Sequence, residues 1–577
     1  MNFRWALAAP QPERSRTLAE ALRISPLLAQ CLLNRGLSDP EALARFLAPR
    51  LKNLADPFLI PNMGAAVDRL LAARSQGELV VIFGDYDVDG VTATALLVQN
   101  LGALGFKVET FLPHRLEEGY GLSREGVERC LRQFPARLLL AVDCGSNALE
   151  VITQLRRDGL DVIVLDHHQV SSPLPPALAL VNPQLGDGFQ ELCSAGLAFK
   201  LVHALVKRMR TLGPSAADAL DLRPLLDLVA LGTVADVVPL RGENRILVAA
   251  GLDCLNATNR PGLLALQAAA ASPPRLGVFE IGFQLAPRLN AAGRLEDAQA
   301  ALRLILTTDA AEARSLARTL DEQNARRREI EQKITAEIIT APQASFDPEK
   351  DFVIVLGRAE WHVGVVGIVA SRVMQRFYRP TIIFGGEGEV WRGSGRSIQG
   401  FDLAAALQNC AELLLRHGGH AMAAGLSLHP AKVSLLRERL NAQAHALLQP
   451  EQLRPALRLD AEAALPELAL DRLEELQRLD PTGEGNPVAK VVVRGLSHRW
   501  PPQRMGKESQ HLKMRLTNGR ETVEAVWWNC PPAAAPKDQF DLACIPTINC
   551  YNGARAVQLK VLDCQPAGEA IPVQPPR

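Results

Sequence analysis

Residues 79–101 read LVVIFGDYDVDGVTATALLVQNL: a short apolar run, a turn of glycine and aspartates, then an apolar stretch of helical character. A run of Val, Ile, Leu and Phe without polar alternation suits a strand covered on both faces. Two more such runs follow, RLLLAV at 137–142 and LDVIVL at 160–165. With helical stretches between them, they predict parallel strands joined by crossover helices, a doubly wound α/β domain.

Working outward, each run ends in acid. FGDYDVDG carries Asp85, Asp87 and Asp89, AVDCGS carries Asp143, and VLDHH carries Asp166, His167 and His168. A fourth segment, LGTVADVVPL, is read as one more acidic strand end and supplies Asp236. Ligands of open α/β sheets bind beyond the carboxyl ends of the strands, so these groups are expected to converge. Crowded carboxylates repel one another unless a cation lies between them. Carboxylates joined by imidazole suit Mn²⁺ or Mg²⁺ better than a thiolate-rich zinc site does. A single Asp after a strand is ordinarily a helix cap or turn residue. Asp85 and Asp166 are read in that way, as supports behind the ligands. Four acidic segment ends, one with tandem His, exceed what capping explains. Neither a P-loop nor a GxSxG elbow points to other chemistry.

The chain has 577 residues, 63 basic and 63 acidic, and is 47% hydrophobic, which predicts a multidomain globular protein without long disorder. With no net charge, any nucleic-acid contact must come from local patches. Ten cysteines without a CxxC pair read as reduced thiols. The opening MNFRWALAAPQPERS has too short an apolar run for a signal peptide, and no stretch approaches a membrane span. A cytoplasmic protein away from membranes is expected.

The expected domains are an N-terminal helical segment (1–55), the α/β domain (56–250) and a helical connector (251–342). In the connector Ile330, Ile334 and Ile338 share one face of a spacer helix. A second, smaller α/β domain (343–450) and a small β-barrel (451–570) follow, then a loose tail.

The ordered set DYDVDG, VDCG, DHH and VADVVP resembles the four motifs of the DHH phosphoesterase superfamily. The resemblance implies that Asp87, Asp89, Asp143, His167 and Asp236 ligate two Mn²⁺ or Mg²⁺ ions, with Asp143 between them. It implies that His168 touches the scissile phosphate or assists the leaving group. Many small-substrate members carry a His where this chain has Phe83. WRGSGRS (391–397) and HGGHAMAAG (417–425) resemble the paired Gly-rich motifs of the DHHA1 subdomain, offering Ser394, Arg396 and His420 to a phosphate. In WHVGVVGIVASRV (361–373), Trp361 and His362 precede a helix whose N-terminus is expected to face the same anion.

Two segments resemble the RecJ-type branch more narrowly: PHRLEEGYGLS (113–123), with Arg115, and APRLNAAGRL (286–295), with Arg288, Asn290 and Arg294. The resemblance implies a grip on the 5′-terminal phosphate or adjacent backbone. PTGEGNPVAKVVVRGL resembles the entry to that branch's OB-type domain. From 491 to 520 there follow Arg494, Arg499, Arg504, Lys507, Lys513, Arg515 and Arg520 against one acid, Glu508, with Trp500 among them. Cations with an aromatic platform suit single strands. The Arg326–Arg328 run reads equally as a solvated face or a DNA track.

The implied function is a metal-dependent 5′→3′ exonuclease of single-stranded DNA, releasing mononucleotides in repair and recombination. Its implied partners are a single-strand-binding protein and a helicase, and a monomer is the default. One alternative is a phosphodiesterase of short oligoribonucleotides or cyclic dinucleotides, which needs neither spacer helix nor barrel. The other is a non-catalytic scaffold, whose relatives lose acidic ligands that all stand here.

Overall fold

The apolar runs form one parallel sheet, ordered Lys107–Phe111, Leu79–Phe83, Leu138–Val142, Asp161–Leu165, Ala179–Val181. Val81, Leu140 and Val164 are wholly buried, as strands covered on both faces require. The chain leaves Leu79–Phe83 toward one edge and returns on its other side at Leu138–Val142. The order reverses there, and a crevice opens at the carboxyl ends of these two strands. In this computed structural model residues 3–114, 118, 121–340, 346–347 and 350–574 are described. They divide into two units, one of Leu54–Val238 with Ile246–Leu453, the other of Met1–Asn53, Pro239–Arg245 and Arg454–Arg577.

In the first unit the helices Val88–Ala103, Ser194–Leu212 and Leu226–Ala235 pack together beside the sheet. Asp236 caps the carboxyl end of the last of these helices. It therefore comes from a helix and not from the strand end expected of LGTVADVVPL. The apolar run there is buried all round, a pattern that fits a core helix as well as a strand.

The spacer helix Ala310–Thr340 buries Ile334, with Ile330 and Ile338 half-buried beside it, against Trp361, Val366 and Val369. Of the arginine run, Arg327 points inward: it pairs with the wholly buried Glu331 at 3.1 Å and donates to Asn324 at 3.0 Å. Arg326 and Arg328 are exposed. The second sheet of this unit runs Arg416–His420, Ala423–Leu428, Trp391–Arg396, Thr381–Gly385, Ile354–Gly357, parallel only in its last pair.

In the other unit, strands Val491–Met505, His511–Thr517, Thr522–Trp527, Phe540–Tyr551 and Ala554–Pro566 close into a barrel, the first pairing with both the second and the fourth. Phe540–Tyr551 escapes the sequence patterning, because Phe540 to Cys544 are all buried and show no alternation. The N-terminal segment, expected as helices alone, opens with a strand, Arg4–Ala8. That strand pairs in parallel with Ala456–Leu459 and with Val573–Gln574, which lies in the stretch expected as a loose tail. Leu28, Leu32, Leu43 and Phe46 from the N-terminal helices share one core with Val491, Leu516 and Phe540 of the barrel. Arg245, buried, donates to the carbonyls of Phe46, Arg478, Leu479, Asp480 and Pro481 and lies 3.9 Å from the Phe46 ring centre. No helix among the described residues is long and apolar enough to cross a membrane.

Candidate metal centre

Asp87 is the N-cap of the helix Val88–Ala103, accepting from the Gly90 amide at 3.1 Å. Asp89, in the first turn of that helix, is buried and accepts from the amides of Ser194 at 2.7 Å and Ala195 at 2.9 Å. Those amides open the helix Ser194–Leu212, whose N-terminus favours a carboxylate. Asp143 leaves its strand in the left-handed region, φ 63°, and accepts from the Ser194 hydroxyl at 2.9 Å. Asp166 accepts from the amides of His167, His168 and Ser146 and contacts His168 Nδ1 at 2.7 Å. Buried Asn182 donates to the Ser146 hydroxyl and to the His168 carbonyl. The next residue after Asp236, Val237, is left-handed at φ 59° and 65% exposed, a strained position for a β-branched residue.

Three overlapping groups result: Asp89, His167 and Asp236; Asp85, Asp87 and Asp143; and Asp143, His167 and His168. In each, one oxygen or ring nitrogen per residue lies within 4.8 Å of the others. His167 Nε2 is 3.4 Å from Asp143, 3.5 Å from Asp236 and 3.8 Å from Asp89, yet it is buried without a hydrogen-bond partner. A buried polar atom among carboxylates needs either a proton or a cation to satisfy it. Asp85, read from sequence as a support, stands in the same group as Asp87 and Asp143. Phe83 is buried and stacks on Phe111 at 5.3 Å, so it contributes no ligand.

The electrostatics match crowding. Burial, then the charges of Asp87, Asp89, Asp85 and Asp236, raise Asp143 well above the usual carboxylate range. Burial and the charges of Asp89 and Asp87 push Asp236 up to about 9. Burial raises Asp89 against the pull of His167, and burial lowers His167 against the pull of Asp89. Asp166 goes the other way: burial opposes ionisation, but the hydrogen bond and charge of His168 hold it well below the usual range. Burial likewise opposes the charge on His168, yet the bond to Asp166 and the surrounding carboxylates raise it to about 9.

On the second sheet, Arg396 donates to the Ser394 hydroxyl at 2.9 Å and to the Gly395 carbonyl at 2.8 Å. Arg396 and His420 face Ala423 from either side in one cross-strand row. A Cβ on Gly367 would come 3.0 Å from the Ser394 hydroxyl, so the helix Val366–Phe377 starts against this row. His362 is half-buried, and burial together with the charge of Arg326 lowers its pKa. Trp361 does not face an anion: it is 5% exposed in an apolar core, and its indole donates to Glu337 on the spacer helix at 3.0 Å.

Arg288 is likewise engaged elsewhere, donating to Asp321 of the spacer helix at 2.9 Å and to the Gln284 carbonyl at 2.7 Å. Asn290 accepts from the Val88 amide at 3.2 Å through its side-chain oxygen, which fixes it beside the start of the helix Val88–Ala103. A Cβ on Gly293 would come 2.8 Å from the Tyr86 carbonyl, which is why this helix can lie against the DYDVDG turn. Arg294 reaches toward the Gly364 carbonyl at 3.5 Å. Arg115 lies outside the described residues.

On the barrel, Trp500 is 58% exposed and sits opposite Arg515. Sequence reasoning missed Trp528, 50% exposed with His511 edge-on at 4.6 Å, and Tyr551, also exposed. The signal for Trp528 was the alternation of TVEAVWW, which buries Trp527 and turns its neighbour outward. Three of the seven cations in the basic stretch are engaged within the unit: Arg494 with Glu462 and Asp541, Lys513 with Glu524, and Arg504 with the Cys530 carbonyl.

Comparison with known proteins agrees with this arrangement. Residues 79–233 match the DHH family, N-terminal domain, residues 350–446 the DHHA1 domain, and residues 459–563 the RecJ OB domain. The single-stranded-DNA-specific exonuclease RecJ of Dickeya dadantii is 38% identical over 93% of this chain and 95% of its own length. The crystal structure of RecJ in complex with Mn²⁺ from Thermus thermophilus superposes with a TM-score of 0.84 at 33% identity, covering 99% of this chain and 80% of that one. Its Mg²⁺ complex gives 0.78 at 32% identity over 99% and 79%. With all three domains matched in order and the likeness running through almost the whole chain, this protein belongs to the RecJ family.

Proposed function

We propose that this chain is a metal-dependent exonuclease that hydrolyses the phosphodiester bonds of single-stranded DNA from the 5′ end, releasing mononucleotides. The observation that carries the reading is His167 Nε2, buried and without a hydrogen-bond partner among Asp89, Asp143 and Asp236. Mn²⁺ or Mg²⁺, the ions of the Thermus thermophilus relative, suit these oxygen and imidazole donors. Asp85, Asp87, Asp89, Asp143, His167 and Asp236 would hold two such ions. Bound there, the ions would lower the pKa of a water and neutralise charge developing on the phosphate.

The chain's own residues do the rest. The amides of Ser194 and Ala195 fix Asp89, and the Ser194 hydroxyl fixes Asp143, so neither carboxylate must reorganise. His168, kept protonated through neutral pH by Asp166, is placed to donate to a phosphate oxygen or leaving oxygen. Ser394, Arg396 and His420 offer donors for a phosphate of the strand. The exposed Trp500 of the barrel offers a base-stacking face to single-stranded DNA. The protein works as a cytoplasmic monomer on strands presented by a helicase and a single-strand-binding protein.

The test is time-resolved digestion of an end-labelled oligonucleotide in Mn²⁺, against its duplex, its RNA counterpart and Asp236→Ala. Mononucleotides released in order from the 5′ end of single strands alone, and lost in the variant, are expected. Intact DNA with rapid cleavage of dinucleotides would overturn the reading.

A further inference from the structure

The segment from Val278 to Leu295 is one helical run with a π-helical turn, Ile281–Leu285, inside it. Such turns gather at functional sites. Ile281, Leu285 and Leu289 bury its inner face. Its outer face carries Phe279, 61% exposed, and Phe283, 72% exposed, stacked on each other with centroids 4.9 Å apart and planes 28° apart. Burying a Phe side chain is worth roughly 1.5–3 kcal/mol, so two neighbouring rings left in water lack a stability rationale. Neither ring is used by the site described above.

Their place on the helix points to an occupant. Toward its carboxyl end the run touches the metal loop through Asn290 and Gly293. Toward its amino end a Cβ on Gly282 would come 3.9 Å from Val234, in the helix capped by Asp236. Phe279, Phe283 and Arg294 fall on one stripe when the wider turn is allowed for, with Asn290 at its edge. From Phe283 to Asn290 is two turns, roughly 10 Å, the span of about three stacked nucleotides. The exposed rings therefore continue the surface that begins at the metal centre.

We propose that Phe279 and Phe283 form a stacking platform for unpaired bases within the first few nucleotides of the scissile phosphate. This deepens the single-strand reading above and rests on it. Every base has a π-face, so such a platform accepts any sequence, as an exonuclease advancing along a strand requires. A base inside a duplex has both faces covered, so the platform also favours single strands over paired ones.

The test places 2-aminopurine at the second to fourth nucleotide of a short single strand and titrates the whole protein in Ca²⁺. Quenching on binding is expected. Phe283→Ala should weaken binding about tenfold and the F279A/F283A double variant on the order of a hundredfold, with Phe283→Trp retaining it. Mn²⁺ binding by calorimetry should be the same in all three, which shows that fold and metal centre survive. A double variant that binds and quenches like the parent overturns the platform. So does a parent that sediments as a dimer and a double variant that sediments as a monomer, with strand binding unchanged, since the rings would then cover a second copy. A parent that binds and quenches single strands but does not cut them in Mn²⁺ would sink the exonuclease reading and leave the platform standing.

Discussion

At the scale of the residue, the centre is a set of carboxylates held against their own repulsion. Asp143 and Asp236 are raised because burial and neighbouring charge favour their protonated forms. Stability from such groups is present below the ordinary carboxylate pKa and is lost as pH climbs toward about 9. Metal-free protein should therefore melt several degrees lower at pH 8.5 than at pH 5.5. Asp143→Ala should show a smaller drop, and Mn²⁺ should restore the parent at high pH. Calorimetric scans check this, and equal slopes in parent and variant would refute it. The same variant should retain its fold and lose turnover.

His168 is raised as well, but here the charged form is the one favoured, by the carboxylate of Asp166. Its charge, present at neutral pH, is lost as pH rises past about 9. Asp166→Asn removes the main partner, so the basic limb of the pH–rate profile should move down by at least about one unit. Activity at pH 8 should fall on the order of tenfold. An unmoved limb would show that His168 is not the titrating acid.

At the scale of the element, the spacer helix is more than a spacer. Glu331, wholly buried within it, pairs with Arg327 of its own helix and with Arg372 of Val366–Phe377, the helix that starts against Ser394. Removing a carboxylate that answers two cations leaves charge uncompensated in the interior. Glu331→Ala should cost about 3–5 kcal/mol in urea unfolding, and a loss under about 1 kcal/mol would refute this account. The arginine run shows why the sequence left two readings open. Three consecutive arginines point in three directions on a helix, and only packing decides which one is inside.

At the scale of the whole molecule, the barrel unit is assembled from distant segments. Leucines from the first fifty residues lie in the same core as the barrel strands, and the strand Arg4–Ala8 pairs with Ala456–Leu459 and with Val573–Gln574. A fragment of residues 454–577 alone should aggregate or bind a hydrophobic dye, and co-expression with residues 1–53 should recover soluble protein. A monomeric fragment with a sharp melting transition would refute that dependence.

What the sequence determined by itself was what depends on local order. Apolar runs ending in acid predicted the parallel sheet, and the motif order placed Asp87, Asp89, Asp143 and His167 at one end of it. Residues close in the chain keep their geometry wherever the fold carries them, so DYDVDG and DHH were legible. What the tertiary structure decided was partnership. Trp361 and Arg288 were expected on an anion, but they meet Glu337 and Asp321 on the spacer helix. Asn290 meets the Val88 amide, Asp236 comes from a helix end, and Phe279 with Phe283 lies open to solvent. Each of these depends on which surfaces, far apart in sequence, are brought together, and neither side-chain type nor spacing carries that information.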